Sequence, residues 1–167
     1  DSSAAGGGAE WTERWEDIAT ESLRDTPMRR PIGGDVAGPS VARLQIALDR
    51  ALFSPGIIDG RWGKNTEKAL YWFQQREGLP TTGVLDQATW EQLQQVAGGG
   101  AFTRSYAVSN GDLSGPFVRI PEDIYEKAEL DCMCYESLSE MLAERFHTSP
   151  AVLARLTRVP VPLWMVT

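Results

Sequence analysis

Apolar residues recur at intervals of three or four positions in three successive stretches of the chain, which is the spacing of an amphipathic helix. The first predicted helix is capped by Ser40 and ends before residues 54–56. The second covers residues 64–77, and the third follows a cap at Asp86. Short loops join these helices, so the pattern predicts a three-helix bundle. Its predicted core comprises Val41, Leu44, Leu48, either Ala51 or Leu52, Ala69, Leu70, Phe73, Val84, Leu85, Trp90, Leu93 and Val96.

The loops of this bundle repeat one another. The stretch "GIID" at 56–59 matches "GVLD" at 83–86, and "GKNTEKAL" at 63–70 matches "DQATWEQL" at 86–93. Glycine permits positive φ, and Asp or Thr accepts backbone hydrogen bonds at turns and helix starts. The residues predicted to have these turn and capping roles are Asp59, Gly60, Gly63, Thr66, Gly83, Asp86 and Thr89.

Further elements are predicted on either side of the bundle. Residues 10–25 have helical spacing and place Trp11 and Trp15 on a face expected to dock on the rest of the chain. After the bundle, residues 105–112 alternate like a strand, and three short helices follow, with Pro121 in the first turn of the first. The predicted boundaries are 1–39 for the terminal helix and a Pro/Gly linker, 40–97 for the bundle, 98–104 for a second linker, 105–157 for a small α+β segment with an inserted helix and 158–167 for an apolar tail.

The charge of the chain limits its partners. Its 167 residues carry a net charge of −7, whereas nucleic acids and anionic membranes attract clustered Lys and Arg. No apolar run approaches the roughly 20 residues of a spanning helix. The first ten residues lack the basic and apolar regions of a signal peptide, so an exported protein would have lost that peptide already.

Few residues suit catalysis, metals or cofactors. His147 is the single histidine, and its imidazole is expected to bond the carbonyls at a helix end. Cys132 and Cys134 are expected to be two thiols, because side chains two positions apart diverge on a regular helix or strand. Lys64-Asn65 does not fit a phosphate-binding Walker loop. We therefore expect no catalytic constellation, no metal site and no cofactor.

The bundle resembles the type 1 peptidoglycan-binding domain, a three-helix module attached to bacterial cell-wall enzymes. The resemblance rests on "VARLQIAL" at 41–48 and on "DGRWGKNTEKALYWFQQREGLPTTGVLDQATWEQL" at 59–93. These residues follow a D-G-x-aromatic-G-x-x-T-x-x-A-apolar-x-x-F-Q pattern and close with G-apolar-apolar-D-x-x-T. The resemblance covers about a third of the chain and implies a binder of the bacterial cell wall.

The segment after the bundle resembles the LysM-like region that follows this module in some L,D-transpeptidases. It carries Tyr106 and Val108, then "GPF" at 115–117, "IPEDIYEKAEL" at 120–130 and "LAERFHTSPAVLARL" at 142–156. The resemblance implies that the chain is either the non-catalytic front of a larger enzyme or a free-standing binder. The Ser-x-Gly-Cys nucleophile of those enzymes is missing from this chain, so we expect the chain itself to be non-catalytic.

The predicted function is therefore a non-catalytic region that binds glycan strands or stem peptides of peptidoglycan in the periplasm or cell envelope. Aromatic planes, amides and bases suit such a ligand. The alternative is a regulatory region that docks on the catalytic domain through the tryptophan face and the apolar tail. Trp62 could equally cover the core or stack on a sugar. The predicted ligand-binding residues are Arg61, Trp62, Asn65, Tyr71, Trp72 and Arg76.

Overall fold

The computed structural model describes residues 11–25, 28, 30, 32–132 and 134–157, and this part of the chain is mainly helical. Its β structure is limited to isolated bridges, with no strand among the described residues. A 3₁₀ helix at Trp15–Asp17 precedes the α-helices. These are α1 (Thr20–Asp25), α2 (Pro39–Arg50), α3 (Lys64–Arg76), α4 (Gln87–Val96), α5 (Asn110–Ser114), α6 (Ile124–Ala128), α7 (Leu138–Arg145) and α8 (Pro150–Leu156).

Helices α2, α3 and α4 form the predicted bundle around one apolar core. Phe73 and Leu70 of α3 are fully buried, and Phe53 packs edge-on against Phe73 with ring centroids 5.6 Å apart. Two of the predicted core residues were wrong, since Val84 and Val96 are more than a third exposed. Val84 lies in the turn before α4 and Val96 at the last position of that helix, where the chain leaves the core.

Two buried glutamines hold the repeated loops in place. Gln45 of α2 accepts hydrogen bonds from the backbone N–H groups of Asp59 and Gly60 and donates to the Thr66 hydroxyl 3.2 Å away. Gln74 of α3 repeats this arrangement one helix later. It accepts a hydrogen bond from the backbone N–H of Gly83 and donates one to the hydroxyl of Thr89 in the first turn of α4. Each glutamine therefore ties the helix before a turn to the helix after it.

The segment before α2 packs on the bundle without forming the continuous helix predicted for residues 10–25. Only Trp15–Asp17 and Thr20–Asp25 are helical among the described residues of this segment. The Ser22 hydroxyl accepts from the Ala19 N–H, a local bond that starts a new helix there. The docking role of the tryptophans is confirmed, because both indole N–H groups donate to backbone carbonyls of the bundle region, Trp11 to Ala37 and Trp15 to Asp59.

The start of α2 also differs from the prediction. Its N-cap is Gly38, so Ser40 lies inside the first turn. The Glu13 carboxylate accepts hydrogen bonds from both the N–H and the hydroxyl of Ser40, at 2.8 and 2.7 Å. A side chain from 27 positions away thus satisfies the helix start, which sequence spacing could not indicate.

Residues 32–38, predicted as part of a linker, are built into the bundle. Ile32 is fully buried and exchanges two backbone hydrogen bonds with Leu85 in the turn before α4. Gly38 N–H donates to the Gly60 carbonyl and Trp62 N–H donates to the carbonyl of Val36. The segment therefore contacts both repeated turns.

The C-terminal part packs on the same body. A small core cluster joins Ile18, Leu23, Ala42 and, from α8, Val152. The Ile58 N–H donates to the His147 carbonyl at 2.8 Å, close to an isolated bridge between Ile58 and the residue after His147. Helices α1, α2 and α8 thus share one buried contact.

The predicted strand over residues 105–112 is not formed, and the LysM-like α+β arrangement is not found. Ser109 caps α5 there, and the Asp112 carboxylate accepts from the N–H and hydroxyl of Ser109, from the Tyr106 hydroxyl and from the Arg145 guanidinium. The bonds from the Ser109 backbone and from Arg145 are the main reasons that the pKa of Asp112 lies well below its usual range. This cluster joins α5 to α7.

Three further local predictions were wrong. Helix α6 begins after Asp123, whose carboxylate caps it, so Pro121 lies before the helix. Cys132 and Cys134 form a disulfide with their Cα atoms 5.2 Å apart, and neither cysteine lies in a helix or a strand. The His147 imidazole contacts the Asp49 carboxylate at 3.1 Å, while its backbone, at φ 53°, ends α7. The apolar tail 158–167 lies outside the described residues.

Candidate functional site

Two adjoining cavities open on the surface beside the start of α3. The first has a volume of about 430 Å³ and lies between the loop after α2 and the outer face of α3. The second, of about 310 Å³, lies between the same loop and the turn that contains Asp59 and Arg61. Asn65 lines both cavities. We call the two cavities together the groove.

The loop after α2 supplies an apolar wall that the core does not use. The Leu52 side chain is 90% exposed and that of Ile57 is 63% exposed. Leu52 has φ 65°, a left-handed conformation that ends α2 and directs the chain into the loop. Phe53, the next residue, turns back and packs on the core. The loop therefore places aliphatic side chains beside the groove, where they stay exposed and do not pack in the core.

One face of α3 forms the opposite wall. Asn65, Lys68 and Trp72 are spaced at i, i+3 and i+7, so they align along the helix above the first cavity. Trp72 is 52% exposed, and the Tyr71 ring packs edge-on against it with centroids 5.5 Å apart. This contact orients an indole face that remains open to solvent.

The charges that line the groove are mostly positive. Arg61 and Lys64 line the second cavity and Lys68 lines the first. The one carboxylate of the lining, that of Asp59, accepts hydrogen bonds from the Gln45 amide and from a backbone N–H. Within the described part of the chain, neither lysine forms an ion pair. A chain of negative net charge thus presents positive charge at this opening.

The structure brings some of the predicted ligand-binding residues together and separates others. Asn65 and Trp72 face the first cavity, and Tyr71 supports Trp72. Trp62 is half-buried and packs against the bundle core. Arg76 lies over the Phe53 ring, 4.4 Å from its centroid, and pairs with Glu77 at 2.7 Å.

Arg61 has two contacts. It lines the second cavity, while its guanidinium carbon lies 5.0 Å from the ring centroid of Trp15. Arg155 of α8 lies over the same indole, with its guanidinium carbon also 5.0 Å from the ring centroid. Trp15 therefore has two guanidinium partners, one from the turn before α3 and one from α8. Arg61 therefore belongs both to the groove and to the contact with the N-terminal segment.

Sequence reasoning missed several residues of the groove. Leu52, Ile57, Lys64 and Lys68 line it although they were assigned no binding role. Leu52 fell on the apolar stripe of the first predicted helix, so its spacing suggested burial. A usable signal was the pair Lys64 and Lys68, because like charges at i, i+4 destabilise a helix and therefore call for another explanation.

The bundle that carries this groove matches a known protein family. Residues 37–93 match the family model described as "Putative peptidoglycan binding domain". This segment is a peptidoglycan-binding domain. The matched range includes all three helices of the bundle except the end of α4. It also includes each residue of the groove. The peptidoglycan-binding domain occupies about a third of the chain, as predicted.

A similar stretch occurs in a bacterial protease. The chain is 35% identical over 68 residues to the carboxy-terminal processing protease CtpB of Bacillus subtilis. The similarity covers 41% of this chain and only 14% of the length of that protease. The similarity is therefore limited to a part of each protein.

The described residues contain neither a cluster suited to a metal ion nor a membrane-spanning helix. They contain no group of three or more His, Cys, Asp or Glu side chains placed to hold a metal ion. In the same part of the chain, no helix is both long and apolar enough to cross a bilayer.

Proposed function

We propose that this chain binds bacterial peptidoglycan through the groove and thereby holds an attached enzyme near its cell-wall substrate. The observation that carries the proposal is that the peptidoglycan-binding domain contains an open cavity lined by Trp72, Asn65 and Lys68. The buried core does not require these side chains, since Trp72 is half exposed and the other two are exposed.

The chemistry of the groove suits this polymer. Peptidoglycan presents apolar sugar faces, hydroxyls, peptide amides and carboxylates. The indole of Trp72 can pack on an apolar face, and the Asn65 amide can both donate and accept hydrogen bonds. Lysine ammonium groups can pair with carboxylates. The cavity volume of about 430 Å³ lies within the range of small-ligand sites.

The attached enzyme is part of the proposal. It is suggested by the sequence motifs within residues 105–156, although the LysM-like fold expected for them is not found, and by a relative, similar over 68 residues, that is a processing protease. Tethering a binding module to an enzyme raises the effective concentration of its substrate without any new catalytic contact. The proposal places the protein in the cell envelope, where peptidoglycan lies.

The alternative is a docking region with little affinity for the polymer, and one of the two observations that suggested it no longer supports it. The Trp11 and Trp15 face that suggested a docking surface is covered by the bundle of the same chain. The other motive was the apolar tail 158–167, which is outside the described residues. The groove favours the binding function.

Binding to purified sacculi tests the proposed function. We expect the chain to sediment with sacculi and the Trp72→Ala variant to bind roughly tenfold more weakly or worse, because exposed aromatic anchors dominate binding sites. Tyr125→Ala on α6 is the matched control, since Tyr125 is 80% exposed and distant in sequence from the groove. Failure of the intact chain to sediment, or equal losses in both variants, would contradict the proposal.

A further inference from the structure

We propose that the groove recognises the stem peptide of peptidoglycan through its carboxylates, rather than the sugars of the glycan strand. This inference rests on the proposed function and names the part of the polymer that the groove contacts. It follows from the charge of the lining, from the character of its apolar wall and from the position of Asn65.

The charge of the lining favours an anionic ligand. Arg61, Lys64 and Lys68 contribute three positive charges, and Asp59 contributes the one opposing carboxylate. That carboxylate accepts hydrogen bonds from the Gln45 amide at 3.0 Å and from the backbone N–H of Arg61 at 2.9 Å, and these bonds stabilise the turn. Neutral sugar hydroxyls gain little from three cations, whereas peptide carboxylates form charge-assisted hydrogen bonds with them.

Folding does not account for the lysines. Lys64 and Lys68 are one helical turn apart on α3, an arrangement in which like charges repel. Both are exposed, and neither has an ion-pair partner among the described residues. Glu67 is the one acid in the first turn of α3. It lies beside Gly83 in the turn before α4 and does not line the groove, although it stands between the two lysines in sequence. The pair is therefore available to a ligand.

The apolar wall fits a peptide better than a sugar chain. Sugar sites stack rings on flat aromatic faces, and the groove offers one exposed indole, that of Trp72. The rest of its exposed apolar surface comes from the branched aliphatic side chains Leu52 and Ile57. These can contact the methyl and methylene groups of a peptide. Asn65, which lines both cavities, can bond the peptide amides between them.

Competition experiments test the inference on the full chain. Binding to sacculi stripped of wall polymers would be challenged with two probes: bare glycan strands in the form of uncharged N-acetylglucosamine oligosaccharides, which carry no carboxylate, and free stem peptides released from the same sacculi by an amidase. We expect free stem peptides to displace the chain and bare glycan strands to leave it bound. We also expect binding to weaken as ionic strength rises from about 0.05 to about 0.5 M, because the attraction is electrostatic.

Charge-reversal variants locate the contact. Lys64→Glu and Lys68→Glu are each expected to weaken sacculus binding roughly tenfold or more, because each replaces an attraction with a repulsion. Lys127→Glu on α6 is the matched control and is expected to bind as the original chain does. A circular dichroism spectrum equal to that of the original chain shows that each variant is folded.

The outcomes separate this inference from the proposed function. Retention on sacculi that is competed by bare glycan strands and is insensitive to the two lysine variants would overturn the inference and leave the proposed function standing. Absence of retention on sacculi at every ionic strength would overturn the proposed function and the inference with it. Displacement by stem peptides, together with the loss in both lysine variants, supports the inference.

Discussion

At the scale of single residues, the two buried glutamines explain how the repeated turns are held in place. A turn that leaves the core has backbone N–H groups pointing inward, and buried donors without acceptors are costly. Gln45 and Gln74 supply these acceptors from the preceding helix, and both side chains are at most 1% exposed. The turn that carries Asp59 and Arg61 into the groove is positioned in this way.

Replacing Gln45 with methionine tests this role. Gln45→Met keeps the side-chain volume but leaves the buried N–H group of Gly60 and the partly buried N–H group of Asp59 without their acceptor. We expect the free energy of unfolding to fall by about 2–4 kcal/mol. Chemical denaturation measures the change. Gln75→Met, at an exposed position of the same helix as Gln74, is the control and should change stability by less than about 0.5 kcal/mol; similar losses in both variants would contradict the prediction.

At the scale of elements, the starts of α3 and α4 differ although their loops repeat. Asp86 caps α4, and its carboxylate accepts from the Thr89 N–H at 2.8 Å. This bond is the first cause of the lowered pKa of Asp86. The equivalent N-cap of α3 is Gly63, which has no side chain to offer. The first turn of α3, which lines the second cavity, is therefore not satisfied by its own cap residue.

The substitution Gly63→Asp should supply the missing cap. Gly63 has φ −153° and ψ 171°, a conformation that any residue adopts, and a Cβ added to it would have no atom of another segment within 4 Å. We expect the variant to be more stable by about 0.5–1 kcal/mol at neutral pH, and Asp86→Ala to be less stable by about 1 kcal/mol. Thermal and chemical unfolding of both variants measure these changes. Loss of stability in Gly63→Asp would contradict the proposed equivalence.

The same comparison shows how far the elements could be predicted. Helices α3 and α4 follow directly from their apolar spacing and from the turn residues before them. The start of α2 was mispredicted because the group that satisfies it, Glu13, comes from a distant segment. The strand at 105–112 was mispredicted because alternation alone cannot show whether a partner strand exists. Long-range partners decided both cases.

The groove was only partly predictable for a related reason. Asn65, Tyr71 and Trp72 were expected from a helix face that does not enter the core. Leu52 and Ile57 could not be assigned from spacing, because exposure of an apolar side chain depends on the path of the loop after α2. Trp62 and Arg76 fit a ligand by residue type, yet each has a partner within the fold, the bundle core and Phe53 respectively.

At the scale of the whole molecule, a tight contact joins the N-terminal segment to the first repeated turn. Gly60 has φ 70° in this turn, and a methyl group added there would lie 2.3 Å from the Cδ1 atom of Ile18. Ile18 is 1% exposed, so it has little room to move. The turn and the N-terminal segment thus fit together only because residue 60 has no side chain.

A pair of variants tests this fit. Gly60→Ala should lower the free energy of unfolding by about 3 kcal/mol, from the left-handed backbone and from the clash with Ile18. Gly98→Ala has a similar φ, 78°, with no atom nearby, so it should cost only about 1–2 kcal/mol. In an Ile18→Val background, which lacks Cδ1, the cost of Gly60→Ala should approach that of Gly98→Ala. Chemical denaturation of the four variants measures these free energies of unfolding. If Gly60→Ala lowers the free energy of unfolding equally with and without Ile18→Val, the prediction is contradicted.

Trp15 gives the molecule a further property. The guanidinium groups of Arg61 and Arg155 both lie over its indole, so segments from near both ends of the described chain meet at the first repeated turn. The stretch that matches the family, 37–93, is therefore shorter than the stretch that packs as one body. A fusion protein that borrowed only the homologous stretch would carry an uncovered apolar surface where Ile18 and Val152 now lie. A portable version of this module would need both flanking segments.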